Sequence, residues 1–166
     1  MARRGAGKST HGRLAADAPN APFVELSDEI ETHAGLPVAE VLALYGQEGY
    51  RQLERQAIAR VRDRHIVLIL AVAGGIVSEP KTYGLLLRHF HSIWLKAAPD
   101  DHMNRVLAQG DQRPIKGRSR PMDELNAILE RRQTLYAKAQ ATIQTSGKPL
   151  EDAVEEVISA VQTLTA

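Results

Sequence analysis

The chain has 166 residues, 43% hydrophobic content and no cysteine. This length and hydrophobic fraction suit one globular domain with a sizeable core and exclude a largely disordered chain. Lys+Arg 21 and Asp+Glu 20 leave a net charge of +1, too balanced to indicate a nucleic-acid-binding surface, and the lack of cysteine excludes disulfides and thiolate metal sites.

A phosphate-binding sequence lies close to the N-terminus. Residues 5–10 read Gly-Ala-Gly-Lys-Ser-Thr, which is the phosphate-binding end of a P-loop. Its glycines let backbone N–H groups approach an anion, and its lysine and hydroxyl groups suit a phosphate or Mg²⁺. The candidate phosphate-binding residues are Gly5, Ala6, Gly7, Lys8, Ser9 and Thr10.

The same motif predicts that the first strand of the sheet is missing. A complete P-loop starts with a glycine and follows a buried β-strand, whereas Ala2 occupies the position of that glycine and only Met1 precedes it. We therefore expect a cloned fragment, a misplaced start codon or a damaged copy of a P-loop domain. Because a missing central strand leaves backbone groups unpaired, we also expect lower stability than for an upstream-extended chain.

Strands alternate with helices along the chain, which predicts an α/β domain with a parallel sheet. The predicted strands are 23–26, 66–72, 91–95 and 142–145. The apolar run 66–72 is typical of a strand buried on both faces, and Ser27 is predicted to N-cap the helix that ends at Gly35. The other predicted helices are 9–16, 38–45, 47 to about 63, 81–88, 99 to about 108, 122–141 and 149–164.

Residues 110–121 are rich in glycine, proline and basic residues, which predicts a mobile loop. No apolar run is long enough to span a membrane, and we expect no signal peptide because no apolar stretch follows the arginines of residues 1–4. The lack of cysteine fits a reducing cytoplasm, where we place the chain. The closing amphipathic helix packs either on its own sheet or on a second copy in a homodimer.

Several segments, taken in order, resemble shikimate kinases over nearly the whole chain. They are residues 5–13, 23–31, 46–51 with Glu54, 73–77, 94–95, 113–114 and 131–136. The resemblance implies a P-loop three-layer α/β sandwich with a five-stranded parallel sheet, formed by residues 1–166 as a single domain. It also implies a site for ATP and Mg²⁺, a pocket for shikimate, and a lid near residues 110–121. In an active kinase, Lys8 and the lid residue Arg113 would contact the transferring phosphoryl group.

The resemblance also implies how the substrate is held. Arg51 and Arg132 match the arginines that bind the carboxylate of shikimate, with a backbone contact at Gly74 and with Gly75 beside it. Arginine forks bind a planar carboxylate through two parallel hydrogen bonds, which supports this assignment.

Two of these arginines have alternatives. Arg51 is otherwise a solvated helix arginine that pairs with Glu48 or Glu54. Arg131 and Arg132 are adjacent, so only one of them can face the pocket, and the motif selects Arg132.

Two positions depart from the shikimate kinase pattern. In that family an Asp-x-Asp pair follows the second strand; its first aspartate helps to order Mg²⁺ and its second polarises the substrate hydroxyl. Glu25 and Ser27 occupy these positions here. Serine near neutral pH is no general base, whereas Glu25 and Ser9 keep oxygens for Mg²⁺. We therefore expect phosphate binding without the chemistry that activates the substrate hydroxyl.

A narrower resemblance accompanies these departures, to the C-terminal effector domain of benzoyl-CoA-responsive transcriptional regulators of benzoate catabolism. The similar segments are residues 46–51, 74–80, 93–97 and 109–114. This resemblance implies a sensor of an aromatic acyl-CoA, without kinase activity or a required cofactor, whose DNA-binding domain lies upstream and outside this chain. The CoA phosphates would lie at the P-loop and near Arg113, and the acyl group near Ser27, Arg51 and Gly74.

Two functions are therefore expected as alternatives. The first is the acyl-CoA sensor, which Ser27 favours because a benzoyl ring cannot satisfy a buried aspartate. The second is a shikimate kinase that uses ATP and Mg²⁺ to phosphorylate shikimate. A helix-turn-helix segment encoded in frame upstream would favour the sensor.

Overall fold

The computed structural model describes residues 6–98 and 121–166. The strands are β1 (Phe23–Glu25), β2 (Ile69–Ala71), β3 (Ile93–Lys96) and β4 (Ala141–Gln144). The helices are α1 (Ala6–Asp17), α2 (Leu26–Ala34), α3 (Val38–Arg64), a 3₁₀ helix (Gly74–Ser78), α4 (Pro80–His89), α5 (Pro121–Tyr136) and α6 (Leu150–Thr165). The predicted helix from Pro99, the lid residues 110–120 with Arg113, and residues 1–5 with Gly5 lie outside the described residues.

The predicted parallel α/β architecture is confirmed. β1 pairs with β2 in parallel, with Phe23 opposite Ile69, and β3 pairs with β4 in parallel, with Ile93 opposite Ala141. Within the described ranges the strands form two separate pairs rather than the continuous five-stranded sheet that the resemblance implied. No strand within these ranges hydrogen-bonds to both pairs, so the pairs are not joined into one sheet.

The strand predicted at 66–72 is shorter than expected. Ile66 and Val67 are exposed, and pairing with β1 begins only where the Ile69 N–H donates to the Pro22 carbonyl at 2.8 Å. The preceding residues carry the chain from the end of α3 to the start of β2. Because β1 has only three residues, the ladder is equally short, and the residues of β2 are half-buried rather than enclosed on both faces.

Ser27 is not the N-cap of α2, so that prediction is wrong. The helix begins one residue earlier, at Leu26, and the N-cap position is Glu25, whose side chain makes no capping hydrogen bond. Leu26 is buried in the core, and placing this side chain inward starts the helix directly at the end of β1. The predicted helix end is confirmed, because Gly35 adopts the left-handed conformation with φ 67° that glycine tolerates best.

Helix α3 consists of two segments that meet at Gly46, as the sequence predicted. Gly46 has φ 65° and ψ −174°, which is not a helical conformation. Downstream, α5 ends at Tyr136 rather than near residue 141, because the chain turns there to begin β4.

The core is divided between two clusters. The larger one surrounds Ile30, Val41, Ile58 and Ile76, which come from α2, α3 and the 3₁₀ helix. A smaller cluster comprises Ala15 of α1, Ile143 of β4 and Val157 of α6. Full burial of each isoleucine stabilises the fold by about 1.5–3 kcal/mol. Helix α1 packs against both β2 and α6, so it connects the two strand pairs.

Candidate functional site

Of the predicted phosphate-binding residues, 6–10 lie in the first turns of α1, which begins at Ala6. The first N–H groups of a helix have no intrahelical acceptor, and they favour an anion. Lys8 is exposed and Ser9 is half-buried. The structure therefore places a lysine and a hydroxyl at a helix start, an arrangement that suits a phosphate group.

Glu25 lies close enough to Lys8 to affect its ionisation. Surrounding protein atoms lower the pKa of the Lys8 ammonium by desolvation, and the negative charge of Glu25 partly opposes this shift. Although part of the side chain reaches solvent, the lysine therefore gives up its proton more readily than a free one. An incoming phosphate would raise this pKa again by supplying negative charge.

The oxygens of Ser9 and Glu25 fit a magnesium ion. Mg²⁺ prefers oxygen ligands and commonly binds through one or two carboxylates together with substrate phosphates. Glu25 interacts with the P-loop lysine, which places its carboxylate on the phosphate side. Among the described residues no group of three His, Cys, Asp or Glu side chains is arranged to hold a metal by itself.

Two guanidinium groups converge on Gly75. A Cβ atom built on Gly75 would lie 3.9 Å from Nη2 of Arg51 and 3.9 Å from Nη2 of Arg132. The arginines come from α3 and α5, which are far apart in the sequence. Two positive forks that meet beside the half-buried backbone of Gly75 are an arrangement that suits a carboxylate.

Arg51 is held by two carboxylates. Its Nη1 donates to Oε2 of Glu54 at 2.8 Å, and its Nε lies 3.8 Å from Oε1 of Glu79. Glu54 is only 1% exposed. Burial raises the pKa of the Glu54 carboxyl, while the hydrogen bond and charge of Arg51 act in the opposite direction. Of the two pairings expected for Arg51, the one with Glu54 forms, whereas Glu48 pairs with Arg55 at 3.6 Å.

Arg132 is oriented by the 3₁₀ helix. Its Nε donates to Oγ of Ser78 at 3.0 Å, so this nitrogen is engaged while Nη2 is directed towards Gly75. The neighbouring Arg131 is exposed, and its Nε donates to the Ala127 carbonyl within the same helix at 3.0 Å. The two adjacent arginines therefore point in different directions, with Arg132 towards the pocket.

The end of α5 is fastened beside this pocket by two tyrosines. The Tyr136 hydroxyl donates to the Gly74 carbonyl at 3.0 Å, and the Tyr83 hydroxyl donates to the Leu135 carbonyl at 2.9 Å. The ring of Tyr136 also stacks on Trp94, with centroids 5.1 Å apart. Burial raises the pKa of the Tyr83 phenol, and the nearby Tyr136 adds to that shift.

The sequence analysis did not identify several residues that hold the side chains of the candidate site. Ser78, Glu79 and Tyr136 were not singled out, although Tyr136 closes the segment 131–136 that carried the resemblance. Ser27 is half-buried in the first turn of α2, two residues after Glu25. Gly5 and Arg113 were predicted to bind phosphate, and both lie outside the described residues.

Comparison with known proteins decides the family. A model of the family described as shikimate kinase matches residues 4–162. The chain belongs to the shikimate kinase family. It is 36% identical over 154 residues to a shikimate kinase of Synechococcus sp. strain RCC307, covering 93% of this chain and 78% of that protein. It is 34% identical over 160 residues to a shikimate kinase of Caulobacter vibrioides strain NA1000, covering 95% and 78%.

Solved shikimate kinases share the fold. The structure matches shikimate kinase from Acinetobacter baumannii in complex with shikimate with a TM-score of 0.82 and 24% identity, over 96% of this chain and 88% of that one. It matches shikimate kinase from Bacteroides thetaiotaomicron with a TM-score of 0.81 and 27% identity, over 95% and 93%. The first of these likenesses, at its low identity, concerns the fold alone.

The preferred functional hypothesis is corrected by these comparisons. The sensor of an aromatic acyl-CoA was expected from the narrower resemblance, but the relatives and structures found are shikimate kinases. They favour the kinase alternative, so the sensor interpretation is wrong, and its acyl-CoA ligand and upstream DNA-binding domain have no support. In the described part of the chain no helix is long and apolar enough to cross a membrane.

Proposed function

We propose that this protein is a shikimate kinase that transfers the γ-phosphoryl group of ATP to a hydroxyl group of shikimate. The observation that carries the proposal is the pair of guanidinium groups at Gly75. Shikimate is a small ring with one carboxylate and several hydroxyl groups, and this pair is suited to the carboxylate. The family membership agrees with the proposal.

The carboxylate is the anchor of the substrate. Arg51 and Arg132 each have one edge engaged by protein acceptors, Glu54 and Ser78 respectively. Their Nη2 groups point to the same place, so the two charged forks are positioned before the ligand arrives. Pre-positioned donors lose less side-chain entropy on binding, and each charge-assisted hydrogen bond is worth about 1.5–3 kcal/mol.

The nucleotide binds at the start of α1. There the backbone N–H groups and Lys8 would hold the phosphates, and Ser9 and Glu25 would hold Mg²⁺. The bound ion would neutralise negative charge on the phosphates. We assign Gly5, Ala6, Gly7 and Thr10 to the same phosphate site and Arg113 to the lid, as the P-loop motif and the family resemblance imply. Burial lowers the pKa of the Lys8 ammonium, and a bound phosphate would oppose that shift and favour its charged form.

Ser27 stands where the family carries the aspartate that polarises the reacting hydroxyl. The oxygen of this hydroxyl forms the new bond to the γ-phosphorus, the bond from that phosphorus to the β,γ-bridging oxygen breaks, and ADP leaves. Ser27, which stands at the aspartate position, can orient the hydroxyl by a hydrogen bond but cannot take its proton. Phosphoryl transfer depends mainly on positioning and charge stabilisation, so the proposed kinase acts at a reduced rate, and the proton passes to the transferred group or to water.

The test is product formation. The protein is incubated with ATP, Mg²⁺ and shikimate, and shikimate phosphate is measured by mass spectrometry beside ADP release. We expect ADP release that depends on shikimate, and its loss in Arg132→Ala but not in Arg131→Ala. The adjacent arginine is a matched control because it has the same chemistry and faces away from Gly75. Shikimate-independent ADP release without a phosphorylated product would contradict the proposal.

The cytoplasmic location and the homodimer stay predictions. Size-exclusion chromatography with light scattering at several protein concentrations tests the dimer directly. A mass that stays monomeric up to the concentrations used in the activity assay would remove the homodimer from the proposal without affecting the kinase assignment.

A further inference from the structure

Tyr136 stands outside the set of residues that contact the substrate in the proposal above, yet it is fixed on two sides. Its ring stacks on Trp94 with an interplanar angle of 19°. Its hydroxyl donates to the Gly74 carbonyl at 3.0 Å. The hydroxyl lies so near the 3₁₀ helix that a Cβ on Gly74 would be only 3.0 Å from it. Tyr136 is therefore packed directly against the backbone that borders the guanidinium pair.

The hydrogen bond to Gly74 determines the direction of the next N–H group. A trans peptide unit is planar, so the carbonyl of Gly74 and the N–H of Gly75 point in opposite directions. With the carbonyl oxygen held by Tyr136, the Gly75 N–H points away from the tyrosine. Gly75 is also the residue beside which Nη2 of Arg51 and Nη2 of Arg132 converge.

The 3₁₀ helix restrains this peptide unit only through its i→i+3 hydrogen bonds, and the bond from Tyr136 adds a second restraint. Glycine lies on both sides of the unit, and neither residue has a Cβ that limits its φ and ψ angles. A rotation of this peptide unit would turn the Gly74 carbonyl oxygen towards the guanidinium groups of Arg51 and Arg132, where the substrate carboxylate is proposed to bind. An acceptor would then face the incoming carboxylate in place of a donor, and the two oxygens would repel each other.

We propose that Tyr136 is a positioning residue for substrate binding, which acts by holding the Gly74 carbonyl and thereby the orientation of the Gly74–Gly75 peptide beside Arg51 and Arg132. This assignment rests on the proposed shikimate pocket. It predicts an effect on the affinity for the acid substrate alone, since the phosphate site at the start of α1 is built from other elements.

The test compares Tyr136→Phe with Tyr83→Phe. Both changes remove one tyrosine hydroxyl that donates to a backbone carbonyl, at 3.0 Å and 2.9 Å respectively. Only the first carbonyl belongs to the 3₁₀ helix beside the pocket. We expect Tyr136→Phe to raise the KM and Kd for shikimate about three- to tenfold, the loss of one hydrogen bond. The KM for ATP should stay within error of wild type.

Structural damage is monitored separately. The chain has a single tryptophan, so the emission of Trp94 reports whether the stacked ring of Tyr136→Phe remains in place. Thermal unfolding midpoints of the two variants show how much stability each loses with its tyrosine hydroxyl. We expect both variants to be folded and slightly destabilised, with unchanged shikimate affinity in Tyr83→Phe.

Three results would overturn the assignment. If wild type binds shikimate and Tyr136→Phe binds it equally well, Tyr136 does not position the pocket, while the proposed function stands. If Tyr83→Phe weakens shikimate binding as much as Tyr136→Phe, the effect is general destabilisation. If wild type itself does not bind shikimate, the proposed function fails, and the pocket on which this assignment rests fails with it.

Discussion

The two ends of the proposed site, one for phosphate and one for the acid substrate, are built in different ways. The phosphate end uses consecutive residues at the start of α1, so Lys8 and Ser9 are neighbours in sequence and in space. The acid end is assembled from distant segments: Arg132 bonds to Ser78 across 54 positions, and Tyr136 bonds to Gly74 across 62. A short motif reveals the first kind of site, whereas the second exists only after folding.

The difference predicts separable defects. A change at the start of α1 should affect nucleotide binding and turnover and leave the affinity for shikimate intact. A change at the 3₁₀ helix or on the facing arginines should weaken shikimate binding and leave the affinity for the nucleotide intact. The following variants are ordered by the size of the expected effect.

The largest effect is expected for Lys8→Ala. Removing the ammonium from the phosphate site takes away a charge that stabilises the transferring group, so kcat should fall about 10²–10³-fold. The Kd for shikimate, measured by calorimetry without nucleotide, should not change. A matched loss of shikimate affinity would show that the two ends of the site are not independent.

A gain of activity is expected for Ser27→Asp. The new carboxylate would stand where the family carries the aspartate that polarises the substrate hydroxyl, and kcat should rise about tenfold or more. Ser27→Ala serves as the control and should lower kcat, because it removes the orienting hydrogen bond without adding a carboxylate. An Asp variant that is folded but no faster than wild type would show that the hydroxyl binds elsewhere.

Gly75→Ala should weaken shikimate binding with little loss of stability. Its Cβ would meet both Nη2 groups at 3.9 Å, an ordinary van der Waals contact, but would occupy space that the carboxylate needs. We expect a cost of about 1 kcal/mol, or about fivefold in Kd.

Gly74→Ala is the companion variant. Its Cβ would lie 3.0 Å from the Tyr136 hydroxyl, so the tyrosine must shift and the thermal unfolding midpoint should fall further than in Gly75→Ala. Equal midpoints for the two variants, measured by circular dichroism, would argue against the tight contact between Gly74 and Tyr136.

The smallest effect is a change in the pH dependence of stability. The pKa of the Glu54 carboxyl is raised above its ordinary value of 4.5 by burial. The stabilisation from this shift is complete below the unfolded-state pKa and is lost as pH rises through the higher folded-state pKa. In wild type the free energy of unfolding should therefore decline over this window relative to Glu54→Gln, which cannot titrate there.

Urea unfolding at pH values from 4 upward would measure this difference, with the Gln variant as the reference at each pH. A free energy difference between wild type and Glu54→Gln that is constant over the window would contradict the pKa shift. A difference that moves in favour of wild type as pH rises would mean that Arg51 lowers the Glu54 pKa more strongly than burial raises it.

Much of the fold was predictable because it depends on local signals. The break at Gly35 and the kink at Gly46 follow from the ability of glycine to adopt positive φ angles. The extent of β2 was not predictable, because its length depends on the partner strand rather than on its own apolar run. The start of α2 was missed for a similar reason, since the burial of Leu26 outweighed the capping preference of Ser27.

The candidate site shows the same division. Lys8, Arg51 and Arg132 were found through motifs, and the choice of Arg132 over Arg131 agrees with their orientations. The contacts that hold these side chains were not visible, because Ser78 and Tyr136 carry no spacing that relates them to their partners. The functional hypothesis failed where it relied on the substitutions Glu25 and Ser27 and on four short segments, against a resemblance to shikimate kinases along nearly the whole chain.

The most direct test is a calorimetric titration of wild type, Arg132→Ala and Arg131→Ala with shikimate. We predict that wild type and Arg131→Ala bind with similar Kd and that Arg132→Ala binds at least about tenfold more weakly, because a charged hydrogen bond is lost. Equal binding by all three proteins, or no binding by wild type, would contradict the assignment of the paired guanidinium groups at Gly75 as the carboxylate site.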